Sequence, residues 1–290
     1  MEANNDNIPL VLSYESDPSN NNALVFKKTL EKNKWEYKFI GDDVKWSGVK
    51  DKIIGYYKYL ETLSENKVVV LSDARDVFCL RDSTLFVEKI NNIIENKIII
   101  SAEMYLLGHM NWTKEQMEKQ ILKDPNFFYQ GVPLDNYWLY YNKTYDLPMR
   151  KYVNSGLMVS RVKNLKNAFK WILDNNYVDD QLGIACYINK FPQLIYLDYN
   201  ADFLHSSTSF INGSLYNYDI QVKDAPTFTE LFGMSSYFLH LPGHLASKGQ
   251  KYIYDVIYKL LKFDIIDRDM YSLYGITCKN NYGKFFTTND

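Results

Sequence analysis

What the 290-residue sequence lacks sets its first limits. Cysteine is scarce: Cys79, Cys186 and Cys278 are odd in number, and none has the close spacing of a metal-ligand pair. Cys79 and Cys186 lie in apolar runs and are expected to pack as small hydrophobes. An excess of either charge is missing, since 33 Lys and Arg face 35 Asp and Glu, well mixed, for a net charge of -2. That leaves no basic stripe for nucleic acid and no polybasic membrane patch. No apolar run approaches the roughly 18 residues of a membrane span, and the polar, acidic start Met-Glu-Ala-Asn-Asn-Asp-Asn is no signal peptide. The expectation is a soluble protein of a reducing compartment, the cytoplasm, that of a virus-infected cell included. A glycine-rich phosphate loop, an internal repeat and an interdomain linker are absent too.

What is present is ordinary for a globular chain, with 46% hydrophobic and 23% charged residues. The length suits one sizeable α/β domain or two small ones. With no linker in sight, residues 1–290 are expected to form one domain, with 1–7 disordered and 264–290 docked as an appendage or frayed. Aromatics are abundant, with 25 Tyr and 16 Phe. Tyrosine offers an apolar face and a polar hydroxyl, which suits sugar and peptide binding. The plainer cause is coding bias: richness in Tyr, Asn, Ile and Lys is that of an AT-rich genome, viral ones among them.

Apolar runs alternate with amphipathic segments through the first hundred residues. Strands are expected at Ile8 to Tyr14, Trp35 to Ile40, Lys67 to Leu71 and Lys97 to Ser101. Helices are expected at Asn22 to Asn33, Val49 to Leu63 and Ser83 to Asn96, and from Thr113 to Lys123 behind the capping pair Thr113 and Gln116. Pro125 to Pro148 is aromatic and irregular, as a lid or acceptor loop would be. Later strands are expected at Leu157 to Ser160, Leu194 to Leu197 and Tyr237 to Leu241. Later helices are expected at Val162 to Asn175, Gln181 to Asn189 and Gln250 to Lys262. This βαβ rhythm predicts a doubly wound, mostly parallel sheet with flanking helices.

Asp73 and Asp76 follow Lys-Val-Val-Val-Leu, the most hydrophobic strand candidate. Ligands of open α/β sheets bind at the carboxyl ends of the strands. Two carboxylates three residues apart on a turn there can share one hard cation, Mn2+ or Mg2+, that bridges them to a diphosphate. Such pairs are also common in solvated turns, so position carries this reading more than pattern. Asn154-Ser155-Gly156 reads as a small polar turn before the strand Leu157-Met158-Val159. Asp179-Asp180-Gln181 opens a helix, where Asp179 suffices as the cap and Asp180 is left for other work. His240 ends a strand and precedes Leu-Pro-Gly-His244 and Lys248, as a third metal ligand and a phosphate loop would; a strand-end His is more often structural. His109 and His205 have no such setting.

In this order and spacing, the segments from about Pro9 to Leu261 resemble the glycosyltransferase domain of procollagen lysyl hydroxylases. More distantly they resemble glycogenin-type transferases of the GT-A fold. The resemblance implies a GT-A-type mixed, mostly parallel sheet, a metal at Asp73, Asp76 and His240, and a UDP-sugar donor. It implies donor contacts from Tyr14, Trp46, Lys52, Arg75, Gly243 and Lys248, with Trp46 stacking on the base and Lys52 on the phosphate side. It places Glu103, Asn154, Ser155, Gly156 and Gln181 at the substrate and makes Asp180, Asp179 and Asn154 catalytic. It also matches Leu197-Asp198 and Asn212-Gly213. Two departures stand out. Arg75 occupies the base-stacking position where the animal enzymes have Tyr, and a guanidinium plane also stacks. Lys248 lies eight residues after His240 where the family has six, so either the loop is longer or His244 is the ligand.

The activity so implied is that of a stand-alone hexosyltransferase. It would move glucose from UDP-glucose to galactosyl-hydroxylysine in collagen-like protein with retention, or galactose to hydroxylysine itself or another glycan acceptor. Two alternatives stand against it: a nucleotidyltransferase, which lacks its basic surface or phosphate loop here, and a non-catalytic carbohydrate- or collagen-binding module. A homo-oligomer is compatible with the sequence.

Overall fold

The structure is a computed structural model and describes residues 8–42, 44–103, 152–206, 210–211, 214–215, 236–242, 260–261 and 264–273. The helices expected at Thr113 to Lys123 and Gln250 to Lys262, and the loop Pro125 to Pro148, lie wholly or almost wholly outside the described residues.

Strands β1 (Leu10–Tyr14), β2 (Glu36–Ile40) and β3 (Val68–Ser72) alternate with helices α1 (Asn21–Lys32) and α2 (Val49–Leu60). Then come β4 (Val77–Cys79), α3 (Phe86–Ile94), β5 (Ile98–Glu103), β6 (Tyr152–Arg161), α4 (Val162–Asp174) and α5 (Asp180–Lys190). Strands β7 (Ile195–Asp198), β8 (Leu204–Ser206), β9 (Phe210–Ile211), β10 (Ser214–Leu215) and β11 (Phe238–His240) and helix α6 (Arg268–Leu273) follow. Among the described residues the main sheet runs β2-β1-β3-β6-β5-β8-β11-β4, with β7 beside β5. Of these strands β6 and β4 oppose their neighbours, so the sheet is mixed and mostly parallel.

Alternation of side chains along the strands explains the two layers of helices. Leu10, Leu12, Val69, Leu71, Ile98 and Ile100 pack on one face with Ile53, Tyr56 and Leu60 of α2 and Leu165, Phe169 and Ile172 of α4. Val11, Val68, Val70 and Ile99 pack on the other with Phe26 and Leu30 of α1 and Phe86, Ile90 and Ile94 of α3. Every residue of β3 is buried, as a strand covered on both faces requires. Trp35 meets Phe86 and Phe238 edge-on at 5.0 and 4.8 Å, and burying each such ring stabilises the fold by about 1.5–3 kcal/mol.

Local chemistry sets the ends of the helices. Asn20 Oδ1 accepts from Asn22 N and Ala23 N and so caps α1. α3 starts at Phe86, three residues later than the pattern from Ser83 predicts, because Asp82 Oδ1 accepts from Thr84 N and closes a turn instead. α6 packs on α1. No helix among the described residues is long and apolar enough to cross a membrane.

One expectation changes in kind. Asn154-Ser155-Gly156 is not a turn before a strand but lies within β6. Its pairing with β5 jumps from Ile100↔Met158 to Ser101↔Asn154, so Ser155, Gly156 and Leu157 form a bulge. Bulges re-aim side chains, and this one faces the carboxyl edge of β3.

Candidate active site

β1 and β3 are parallel neighbours in register Ser13↔Ser72, so Tyr14 and Asp73 leave the sheet at one edge. Two bonds to the Ser72 carbonyl fix that edge: Ser13 Oγ donates at 2.7 Å and Tyr56 OH, from α2, at 2.9 Å. β11 runs antiparallel to β4 with His240 opposite Val77, which sets the histidine beside Asp76. Leu241 N donates to the Asp76 carbonyl at 2.8 Å and closes the corner. The bulge of β6 supplies the floor, where Asp73 N donates to the Gly156 carbonyl at 2.9 Å.

These constraints bring Asp73, Asp76 and His240 together, with one ligand atom of each within 4.8 Å of the others. His240 Nε2 lies 3.5 Å from Asp73 Oδ2 and 3.3 Å from Asp76 Oδ1. The other ring nitrogen, Nδ1, faces Asn154 Oδ1 at 2.9 Å and Ser206 Oγ at 3.3 Å. Asn154 Oδ1 also accepts from Gly156 N at 2.9 Å, which turns its oxygen toward the ring. An amide oxygen beside Nδ1 assigns a proton to that nitrogen and turns Nε2 toward the two carboxylates.

Two carboxylates and an imidazole fit a divalent cation that tolerates oxygen and nitrogen, Mn2+ before the harder Mg2+. Gly156 fits the same arrangement. A side chain there would run into the His240 ring and Asp73 Oδ2, so only glycine lets the bulge pass beneath these two residues.

A second group adjoins the first. Lys52 Nζ, from the first turn of α2, lies 2.5 Å from Asp73 Oδ1 and 2.7 Å from Asp180 Oδ2. Burial alone would push the lysine down, but Asp180 and Asp73 outweigh it and hold the ammonium well above its ordinary range. Ser155 Oγ donates to Asp180 Oδ2 at 3.0 Å. Asp179 and Asp180 are thereby separated by environment. Asp179 Oδ1 accepts from Leu182 N at 2.7 Å as the cap of α5 and is exposed. Asp180 is buried against a lysine and a serine, and Lys52 links it to Asp73.

A third group lies on the β1 and β2 side. Arg75 makes a two-pronged pair with Glu15, Nε to Oε2 at 2.8 Å and Nη2 to Oε1 at 2.6 Å. Trp46, in the loop after β2, sits 5.8 Å from Tyr14 between ring centroids. The Tyr14 ring lies against Gly41 and Gly55, where a side chain would overlap it.

The structure thus gathers Asp73, Asp76, His240, Asn154, Ser155, Gly156, Lys52, Asp180 and Gln181, whose Oε1 accepts from Ser155 N at 3.4 Å. Tyr14, Trp46 and Arg75 stand on the adjoining β1–β2 side. Asp198 is occupied elsewhere, accepting from the backbone N of Asp202, Phe203 and Leu204 to close a turn. Gly243, His244, Lys248 and Asn212-Gly213 lie outside the described residues, as does the side chain of Glu103. Sequence reasoning missed Glu15 and Ser206. Glu15 follows directly on a buried strand, and that position was its one signal.

No protein-family model and no curated protein matches the chain. Several solved structures resemble it. A glycosyltransferase involved in the glycosylation of the major capsid of PBCV-1 has a TM-score of 0.45 at 10% identity, over 81% of this chain and 93% of that one. Mouse xyloside xylosyltransferase 1 has a TM-score of 0.43 at 12% identity, over 81% and 97%. The galactosyltransferase LgtC, in complex with donor and acceptor sugar analogues, has a TM-score of 0.44 at 11% identity, over 91% and 99%.

Proposed function

We propose that this chain is a divalent-metal-dependent glycosyltransferase that moves a hexose from a UDP-sugar, UDP-glucose in preference to UDP-galactose. The observation that carries the proposal is the meeting of Asp73, Asp76 and His240 at the carboxyl edge of the sheet, with Asn154 fixing the imidazole. Three oxygen and nitrogen ligands beside an ammonium, Lys52, make a place for a diphosphate held by a cation and a lysine together.

Asp73, Asp76 and His240 Nε2 would hold the metal, which would supply Lewis-acid neutralisation of the departing diphosphate. Lys52 adds positive charge on the phosphate side. Asp180, kept in place by Lys52 and Ser155, faces the donor sugar and stabilises positive charge at the anomeric carbon or takes the acceptor proton. Gln181, whose Oε1 accepts from Ser155 N, and the bulge at Ser155 line the donor-sugar side, against which the protein would hold the acceptor hydroxyl. By the resemblance of the sequence, the acceptor is galactosyl-hydroxylysine of collagen-like protein and the anomeric configuration is retained.

The test is UDP release from UDP-glucose and UDP-galactose, with manganese or with a chelator, in the presence of galactosyl-hydroxylysine or hydroxylysine peptides. Manganese-dependent release from UDP-glucose, raised by the galactosylated peptide, is expected. Equal release in the chelator would end the metal assignment. Absence of release from every UDP-sugar would end the transferase reading.

A further inference from the structure

Glu15 is an acid in an unusual place. Its side chain is 2% exposed, although it stands one residue beyond a strand end on the rim of an open site. A carboxylate withdrawn from water costs several kcal/mol unless its oxygens are matched. Here they are: Oε1 accepts from Arg75 Nη2 and from Asp17 N at 2.8 Å, and Oε2 accepts from Arg75 Nε. The backbone is held as well, because Glu15 N donates to the Ile40 carbonyl at 2.8 Å and extends the β1–β2 ladder.

The consequence falls on Arg75, whose side chain is 50% exposed. A bidentate pair makes the guanidinium and the carboxylate share a plane. With Nε and Nη2 used, Arg75 offers an immobilised flat face rather than a mobile charge. Guanidinium faces are weakly hydrated and stack on aromatic rings and bases. Arg75 stands between Asp73 and Asp76 in the chain, so this plane begins at the metal ligands. On the same side lies Trp46, 47% exposed and tilted at 53° to Tyr14. A nucleoside diphosphate anchored at Asp73 and Asp76 would carry its base toward these flat groups.

We infer that Glu15 is a positioning residue for nucleotide recognition: it locks the Arg75 guanidinium as a platform on which the donor's base stacks. This rests on the reading of the site as a metal and nucleotide-sugar site. A surface ion pair that merely ties two loops together would leave base recognition untouched, which makes the two roles separable.

The experiment is calorimetry on the full chain with manganese, using UDP and, as a probe with no base, inorganic pyrophosphate. Glu15→Gln keeps the shape of the side chain but not its charge, and is expected to weaken UDP about tenfold, in the range of a lost base-stacking contact. Pyrophosphate should bind the variant as it binds the wild type, which also reports that the site is folded. Arg75→Ala should give the same split, and adding Glu15→Gln to it should cost nothing more. Glu15→Gln with Arg75→Tyr should recover UDP affinity, since an aromatic plane stacks without a carboxylate to steer it.

Unchanged UDP affinity in Glu15→Gln would overturn the inference alone. So would equal losses for UDP and pyrophosphate, or additive losses in the double variant. Wild-type protein that binds pyrophosphate with manganese but shows no gain for UDP would overturn it too. Failure of the wild type to bind either probe would overturn the inference together with the reading beneath it.

Discussion

The two ends of the site are built by different means. At the proposed metal end, Asp73 and Asp76 sit in the short turn between β3 and β4, while His240 and Asn154 are each 2% exposed and rest on strands, their positions fixed by backbone ladders and a bulge. At the proposed nucleotide end, Trp46 and Arg75 project from loops and are held by side chains, one against Tyr14 and the other by Glu15. Strand placement fixes atoms closely but admits almost no substitution, as the contacts around Gly156 illustrate. Loop placement tolerates exchange provided the flat surface survives. Loss at the metal end should therefore remove chemistry, and loss at the nucleotide end should only weaken donor binding.

The largest effect tests the first half of that contrast. Asp76→Ala deletes one of the three proposed ligands at a strand end outside the two core clusters. Manganese-stimulated UDP release should vanish while the thermal midpoint stays near that of the wild type. Retained manganese-stimulated turnover would detach Asp76 from the metal.

Next comes Asp180, which belongs to the metal end through Lys52. Asp180→Asn keeps the contact with Ser155 and removes the charge. Turnover should fall by roughly two orders of magnitude or more, the loss typical of one preorganised electrostatic group, with donor affinity almost unchanged. Equal losses in turnover and affinity would mean the carboxylate holds the donor in its ground state instead.

Asn154→Ala gives a smaller loss by an indirect route. Removing Oδ1 frees the imidazole tautomer and ring orientation, and outer partners of metal ligands are worth roughly 10- to 100-fold in metal affinity. Manganese titration of UDP release should shift to higher metal concentration by that factor, with the maximal rate largely recovered at saturation. A loss of rate that no metal concentration restores would instead make Asn154 a direct contact of the reacting sugar.

The contrast between the two ends also accounts for what was legible in the sequence. Asp73 and Asp76 stood out because a buried β-branched run announces a parallel strand, and ligands gather at the carboxyl ends of such strands. The cap at Asp179 was legible too, since capping is a local matter of a few residues. The link from Asn154 to His240 spans 86 positions and depends on strand order, which no local pattern encodes. β4 and β8 have three residues each, too short for a period-two signal, so their place in the sheet went unseen. Glu15 was hidden for another reason: an acid after a strand looks like the start of a solvated loop, and only its partner, 60 positions away, shows it buried.

Trp46 offers the smallest effect and the sharpest comparison. Its ring is exposed among the described residues and touches Tyr14 at a tilt, so removing it opens no core cavity and should leave stability near that of the wild type. If it stacks on the donor's base, the contact exists equally in the ground and transition states. Uniform binding of that kind sets the Michaelis constant and not turnover. Trp46→Ala should then raise the donor Michaelis constant about tenfold, for a stacking loss of roughly 1–3 kcal/mol. Trp46→Phe should recover most of that, because the flat apolar face is what counts. Full steady-state curves in UDP-sugar decide the matter. A collapse of turnover at saturating donor would show that the nucleotide end governs chemistry as the metal end does, and the division between the two would fall.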